Sequence, residues 1–336
     1  MSRALPRSVL VTGATGFLGT HVCRAFADRG IPVRALIRRP GSPVPVGTDP
    51  WPVRGLDDAP ALERALAGIE AVVHLAAHVH QRSIPADGSP AAAAFRSVNV
   101  DGTRALLDAT IAAGVRDFVF ASSVKVVGED SDAPWTEETP PAPADAYGAT
   151  KLEAERLVRE RAAAHRLHAP VLRLPLVYGP GMKANALRLF DAVARGMPLP
   201  LGAVRNRRSF LFTGNLVAAL LAVLESEAGS DTFFVSDGAD LSTPDLLREI
   251  GRALGRPARL LPLPVGALRT AGRLGDAMAR VVRTPLTTAA IDRLIGSLAV
   301  DSSRLTRVTG YRPPHTVRDG LRLTAEWYLS REKGSG

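Results

Sequence analysis

Short apolar runs alternate along this chain with longer segments in which apolar side chains return every three or four positions, the pattern of strands alternating with helices. Val9, Leu10 and Val11 form an uninterrupted apolar run, as in a strand buried on both faces of a parallel sheet. Phe17, Leu18, Val22, Ala25 and Phe26 then recur at helical spacing, so Ser8 to Asp28 reads strand, turn, helix. A second strand is predicted at Pro32 to Arg38, followed by a loop over residues 40–50, where proline and glycine are frequent. A helix over Ala59 to Ala67 leads into a third strand, Ala71 to Leu75, and a polar, Pro/Ala-rich insertion covers residues 81–93. A helix from about Ala91 to Ala113, a strand at Asp117 to Ala121 and a strongly helical segment beginning at Tyr147 complete the first half.

Beyond the loop Tyr178-Gly-Pro-Gly181 the pattern changes. Helix Leu187 to Arg195 is followed by P-L-P-L-G-A, whose prolines favour an extended path, and then by the arginine cluster Arg205 to Ser209. Helix Gly214 to Glu225 and strand Thr232 to Ser236 return to the first sheet, and Thr243 to Tyr328 holds several amphipathic helices. The expected fold is α/β: a doubly wound parallel sheet of Rossmann type with a smaller, mostly helical C-terminal substrate domain. Residues 1–178 and 209–237 form the first domain in this reading, 179–208 and 238–330 the second, and 331–336 a flexible tail. Leu260 to Val282 alternates apolar residues with arginines; a lid or packing helix is favoured there over a membrane-surface face.

Composition narrows this picture only slightly. The single Cys23 rules out an internal disulfide and fits a reducing compartment. Leu216 to Leu224, an uncharged apolar run, is far short of the roughly 20 residues that span a bilayer. With no apolar signal core at the N-terminus, a cytoplasmic location without stable membrane insertion is expected. The net charge of +9 comes from arginines scattered among acids, with no basic run interleaved with aromatics, so nucleic acid is not an expected partner. An anionic small substrate suits it better.

Candidate chemistry gathers in three places. Gly13, Gly16 and Gly19 stand between the first strand and its helix, where they allow a tight turn, close approach of a ligand and an open helix N-terminus for a pyrophosphate. The second strand ends at Ile37-Arg38-Arg39, with no acid to hold a ribose 2′-hydroxyl; Arg38 favours a 2′-phosphate and hence NADP, with NAD as the alternative and a solvated loop as the plain reading. Small residues Ala76 and Ala77 after the third strand leave space for a cofactor ring. His74, His78 and His80 lack carboxylate or cysteine partners at ligand spacing, so no metal is expected. Ser122 and Ser123 fall just past the strand at 117–121, and Tyr147 and Lys151, four apart, share a helix face. The ammonium there can lower the phenol pKa while a serine hydroxyl orients a carbonyl or alcohol.

G-A-T-G-F-L-G, H-L-A-A, V-N-V-D-G-T, the A-S-S stretch, Y-G-A-T-K and R-L-P-L-V-Y-G-P-G, in this order, resemble the extended short-chain dehydrogenase/reductases acting on nucleotide sugars. The resemblance implies Ser123 as the hydroxyl that polarises the substrate oxygen, Tyr147 as acid/base and Lys151 as the residue that lowers its pKa and contacts the nicotinamide ribose. It implies cofactor contacts from the turn (Gly13, Thr15, Gly16, Phe17, Leu18, Gly19), from Leu75, Ala76, Ala77 and Pro175, and from Asn99 behind the cofactor. On the substrate side it points to Asn185 and Arg208 on a diphosphate, to the segment with Leu199 and Leu201 along a uracil, and to Lys125 near the sugar. Dehydratases of this family carry Asp-Glu after the active hydroxyl; Val124-Lys125 stands here, which argues against dehydration. Val127 replaces a usual tyrosine, and the third-strand acid for adenine is missing near Gly55.

V-Y-G-P-G-M-K-A-N, L-P-L-G-A with N-R-R-S, and V-S-D-G-A-D-L-S-T resemble more narrowly the bacterial UDP-4-keto-6-deoxy-hexosamine 4-reductases of surface-polysaccharide synthesis. The alternatives are a UDP-hexose or UDP-HexNAc 4-epimerase that keeps its NAD, and a non-catalytic NADP-sensing or scaffold protein. A homodimer through the helices near Ala105 and Lys151 is expected from the family.

Overall fold

The computed structural model describes residues 3–79, 89–227, 229–278 and 287–333. His80, most of the 81–93 insertion, the end of the 260–282 segment and the last tail residues lie outside them. Six strands, β1 (Val9–Thr12), β2 (Val33–Ile37), β3 (Thr48–Pro52), β4 (Ala71–His74), β5 (Asp117–Ser123) and β6 (Val171–Leu174), build most of a parallel sheet. After β7 (Leu176–Tyr178) and β8 (Phe210–Phe212), which pair with each other, β9 (Thr232–Phe234) completes it in the order β3-β2-β1-β4-β5-β6-β9. The winding reverses between β1 and β4. A crevice therefore opens at the carboxyl ends of these two strands, where a doubly wound sheet places its ligand.

Helix α1 (Phe17–Ala27) covers one face of the sheet and α2 (Ala59–Leu66) the other. Next comes one long helical run: α3 (Pro90–Arg96), a wide π-type turn at Ser97–Asp101, and α4 (Gly102–Ala112). Helix α5 (Ala146–His165) lies beside α4, its N-terminus capped by Asp145, which accepts from the Gly148 N–H at 2.8 Å. Leu62, Leu106, Phe118 and Leu157 fill the core on that face. After α6 (Ala184–Ala194), α7 (Thr213–Glu225) joins α1, so that Phe26, Leu220 and Phe233 share the opposite core.

A third core lies beneath α6 and the C-terminal helices α8 (Thr243–Ala253), α9 (Val265–Met278), α10 (Thr288–Ile295) and, after the short α11 (Ser303–Thr309), α12 (Val317–Lys333). Tyr178, Phe190, Phe212, Leu247 and Leu321 belong to it. Its buried polar anchor is Asp237, which accepts from the Tyr178 hydroxyl at 2.8 Å, the Phe212 N–H at 2.8 Å and Asn215 Nδ2 at 2.7 Å.

Three sequence expectations need correction. The end of the 40–50 loop is a strand: β3 runs parallel to β2 with Ala35 opposite Pro50 and Ile37 opposite Pro52. Proline survives there because β3 is the sheet edge, with one side of its backbone unpaired. Arg34 lies over the Trp51 ring at 4.7 Å and helps hold it in place. Ser122 and Ser123 are the last two residues of β5 rather than a loop beyond it. The P-L-P-L-G-A segment stays extended only to Leu199, which bridges Leu260, and then turns over residues 200–203 with Gly202 against the Leu261 backbone.

Candidate active site

The turn from β1 into α1 forms the floor of the crevice. Gly13 has φ +68, in the left-handed region, and a Cβ there would stand 2.8 Å from the Ala76 nitrogen. A Cβ on Gly19 would overlap the Gly13 carbonyl oxygen, so the first turn of α1 lies directly on the loop. Gly16 precedes α1 with no side-chain cap. The first N–H groups of α1 have no intrahelical acceptor and are open to an anion. Thr15 and Gly16 are exposed and Phe17 and Leu18 half-buried, which completes a cradle that fits a dinucleotide pyrophosphate. His21 and Pro180 tie α1 to the Tyr178–Gly181 loop through a 2.6 Å contact between Nε2 and the carbonyl oxygen.

The wall beside this floor is fixed by a directional chain of hydrogen bonds. The Ala76 N–H donates to Thr12 Oγ1 (3.1 Å), whose hydroxyl reaches His74 Nδ1 at 2.6 Å; His74 Nε2 lies 2.9 Å from Thr103 Oγ1, which donates to the Asn99 carbonyl at 2.7 Å. Only one proton arrangement satisfies every group, with neutral His74 protonated on Nε2. His74 is fully buried, and burial, aided by the charge of Lys151, pushes its pKa down to about 3. Of the three histidines weighed as metal ligands, His74 is a connector, and no metal-binding cluster occurs among the described residues.

The pH dependence follows from the direction of this shift. Between about pH 3 and the ordinary value of 6.5 the unfolded chain binds a proton that folded His74 refuses, so stability should rise with pH across that window. His74→Asn is expected to flatten the slope of urea-unfolding free energy between about pH 4 and pH 6. An equal slope in both proteins would assign the acid sensitivity elsewhere.

Asn99 sits in the wide turn and clasps two elements. Its Oδ1 accepts from the His78 N–H at 2.7 Å, while Nδ2 donates to the His78 carbonyl at 3.2 Å and to Thr150 Oγ1 at 3.1 Å. The irregular segment that follows β4 is thereby tied to α5, one turn from Tyr147. Extra-wide helical turns of this kind often mark functional sites.

Ser123, at the end of β5, and Tyr147, in the first turn of α5, lie near enough for the Ser123 side chain to lower the pKa of the Tyr147 phenol. The Phe95 ring meets the Tyr147 ring edge-on at 6.4 Å between centroids. Burial pushes the phenol up to about 12, outweighing the lowering effect of Ser123, so Tyr147 is a protonated acid at neutral pH. Tyr147 itself is half-buried, whereas Lys151 is buried, and burial lowers it to about 7 against the opposing pull of Glu155. Its Nζ donates to the Ala121 carbonyl at 2.6 Å and lies 4.4 Å from the centroid of the Phe120 ring. The expected lowering of the phenol by this ammonium is not what the side chains display: the lysine is turned toward β5.

Sequence reasoning missed the group that shapes this lysine's surroundings. Glu155, fully buried one turn beyond Lys151, accepts from Ser122 Oγ (2.5 Å) and from Arg173 Nε (3.0 Å) and Nη2 (2.8 Å). The signal was present as a carboxylate four residues after Lys151, on the same helix face.

The remaining candidates are spread more widely. Arg38 is exposed directly after β2, where Ile37 is buried; Leu75, Ala76 and Ala77 are half-buried at the end of β4, and Pro175 is buried between β6 and β7. Lys125 is held by Asp145 (2.7 Å) and Glu129 (2.6 Å); burial would lower its pKa, but these carboxylates outweigh it and raise it. Arg208 is fixed by two backbone carbonyls, Arg293 at 2.8 Å and Gly296 at 2.9 Å, and burial lowers its pKa. Leu199 is half-buried, whereas the side chain of Leu201 belongs to the third core, leaving only its backbone for a ligand. The Asn185 side chain lies outside what the structure describes.

Comparison with known proteins agrees with this geometry. The profile of the NAD dependent epimerase/dehydratase family matches residues 9–235. A UDP-glucose 4-epimerase of Vibrio cholerae is 33% identical over 97% of both chains. An N-acetyl-alpha-D-glucosaminyl-diphospho-ditrans,octacis-undecaprenol 4-epimerase of Escherichia coli O157:H7 is 30% identical over 97% of this chain and 96% of its own. Among solved structures, MoeE5 in complex with UDP-glucose and NAD is 28% identical, covering 97% of this chain and 99% of its own with a TM-score of 0.75. With its glycine turn, paired Ser123 and Tyr147 and buried Lys151, the chain belongs to the NAD dependent epimerase/dehydratase family and is an extended short-chain dehydrogenase/reductase enzyme.

Proposed function

We propose that the protein reduces the C4 ketone of a UDP-linked 4-keto-6-deoxy-N-acetylhexosamine, a step in making surface-polysaccharide precursors. The observation that carries this reading is the Tyr147 phenol, protonated at neutral pH and standing beside Ser123, an acid in place for a ketone oxygen. The N-terminus of α1 and Gly13, Gly16 and Gly19 would hold the cofactor pyrophosphate, and Arg38 a 2′-phosphate, so NADP is the proposed partner with NAD as the alternative. A reduced nicotinamide held there would supply the hydride for C4. Ser123 orients the carbonyl, and Tyr147 gives its proton to the oxygen that becomes the alcohol. Lys151, now on the Ala121 carbonyl, would turn to the nicotinamide ribose and there favour the tyrosinate left behind.

Arg208 and Asn185 are proposed for the diphosphate, with Leu199 and the Leu201 backbone along the uracil and Lys125 at the sugar's edge. A side chain at position 208 already fixed by two carbonyls loses little freedom on meeting phosphate. Val124 and paired Lys125 supply no carboxylate in place of the Asp-Glu pair of dehydratases. A homodimer in the cytoplasm completes the proposal.

A second reading, 4-epimerisation of a UDP-sugar, is favoured by the names of the V. cholerae and E. coli relatives. It begins with oxidation and so requires Tyr147 as a base first. Incubation of purified protein with NADPH and UDP-4-keto-6-deoxy-GlcNAc should consume the cofactor mole for mole and give a 4-hydroxy product identifiable by NMR. No consumption, together with interconversion of UDP-glucose and UDP-galactose without added nicotinamide, would replace reduction with epimerisation.

A further inference from the structure

Lys125 stands in the short turn Val124–Val126 that follows β5, and its neighbours Val124, Val126 and Val127 are buried in a cluster with Trp135 and Leu152. Apolar side chains therefore hold the turn in place, and Lys125 is its polar member. Every part of this lysine meets the candidate site. Its N–H donates to Ser123 Oγ at 3.3 Å. Its carbonyl oxygen lies where a Cβ on Gly148 would stand, so the turn packs directly on the first turn of α5. Its Nζ donates to Asp145 Oδ2 at 2.7 Å, while Asp145 Oδ1 accepts from the Gly148 N–H at 2.8 Å. One carboxylate thus joins the lysine to the helix N-terminus that carries Tyr147.

These contacts differ in weight. The side chain of Asp145 is only 5% exposed, so its ion pair with Lys125 is shielded from water, and losing the ammonium would strand a buried carboxylate. Glu129 binds the same Nζ at 2.6 Å from the more open side and contributes less. Burial of the ammonium is outweighed by the two carboxylates, and Lys125 stays charged at neutral pH. The charge of Asp145 adds to burial in raising the Tyr147 phenol, an effect the ammonium offsets. Ser123 Oγ accepts from the Lys125 N–H and keeps its own proton for another acceptor.

We infer that Lys125 is a positioning residue of the active site: through its ion pair with Asp145 it fixes the first turn of α5, and so Tyr147, against the Ser123 end of β5. This rests on the reading of Ser123 and Tyr147 given under the proposed function. The effect requires no contact between the lysine and the sugar.

Steady-state kinetics of Lys125→Met, Asp145→Asn and the double variant test it, in whichever of the two reactions above the wild-type protein catalyses. Asparagine caps a helix about as well as aspartate, so Asp145→Asn removes the ion pair and keeps the cap. Each single variant should lower kcat roughly tenfold to a hundredfold with KM within about threefold of wild type, and the double variant should be no worse than the poorer single one. Lys125→Arg, which keeps the charge, should recover most of the rate. Amide hydrogen exchange in a peptide spanning Asp145 to Lys151 should quicken severalfold in Lys125→Met, while a peptide from α7 exchanges as in wild type. If wild type catalyses neither reaction, the exchange measurement decides alone.

A rise in KM at unchanged kcat in Lys125→Met would make Lys125 a sugar ligand instead, and losses that multiply in the double variant would separate it from Asp145. Either result overturns the inference, as do wild-type exchange rates over Asp145 to Lys151. Kinetics of Tyr147→Phe keep the two readings apart. A Tyr147→Phe protein as active as wild type would overturn the acid role, whereas an impaired one beside an unaffected Lys125→Met would overturn only the role of Lys125.

Discussion

Tyr147→Phe is expected to lower turnover by roughly a hundred- to ten-thousandfold while nicotinamide binding persists. The substitution removes one oxygen and keeps the ring, so the edge contact with Phe95 is retained and α5 keeps its cap at Asp145. What disappears is the proton donor beside Ser123. Because the phenol stays protonated up to about pH 12, this donor is present throughout the neutral range, and loss of rate should be similar at every neutral pH. The check is steady-state kinetics beside a fluorescence titration with NADPH. Turnover within a few fold of wild type would take Tyr147 out of the acid role, and equal loss of cofactor binding would mean that the site itself had been damaged.

Arg173→Met should cost about 3–5 kcal/mol of stability, because it leaves the Glu155 carboxylate buried without its ion partner. Glu155 is fully buried, and both of its oxygens are used: one by Ser122 and Arg173 Nε, the other by Arg173 Nη2. After the substitution only the Ser122 hydroxyl would remain from that set. Replacing both members, Arg173→Met with Glu155→Leu, should recover most of the loss, since two apolar side chains need no countercharge. Urea unfolding of the two single variants and the double variant measures the coupling. A loss below about 1 kcal/mol for Arg173→Met would show that the pair contributes little beyond its packing.

The sequence made the sheet legible wherever burial dictated composition. Runs such as Val9 to Val11 and Ala71 to Val73 can only be interior strands, and the structure has them at β1 and β4. Strand β3 was hidden because an edge strand tolerates Pro50 and Pro52, the residues that otherwise announce a loop. In the site, the glycine turn and Ser123 with Tyr147 could be found because each relies on local spacing or on a strand end. The Glu155–Arg173 pair and the His74 connector were illegible in function because their partners come from distant parts of the chain. A histidine inside V-V-H-L does signal a buried polar group, but only the fold shows Thr12 and Thr103 on either side of it. Leu201 illustrates the opposite error: an extended path along a ligand was expected where the chain turns and its side chain fills a core.

The wide turn at Ser97–Asp101 amounts to one surplus residue inserted into an otherwise regular cylinder. Trimming it to an ideal helix would swing Asn99 by roughly 100° about the axis, away from His78 and Thr150. Length in this stretch therefore matters as much as the identity of Asn99: a single-residue deletion should loosen α5 from the crevice wall even with every remaining side chain unchanged.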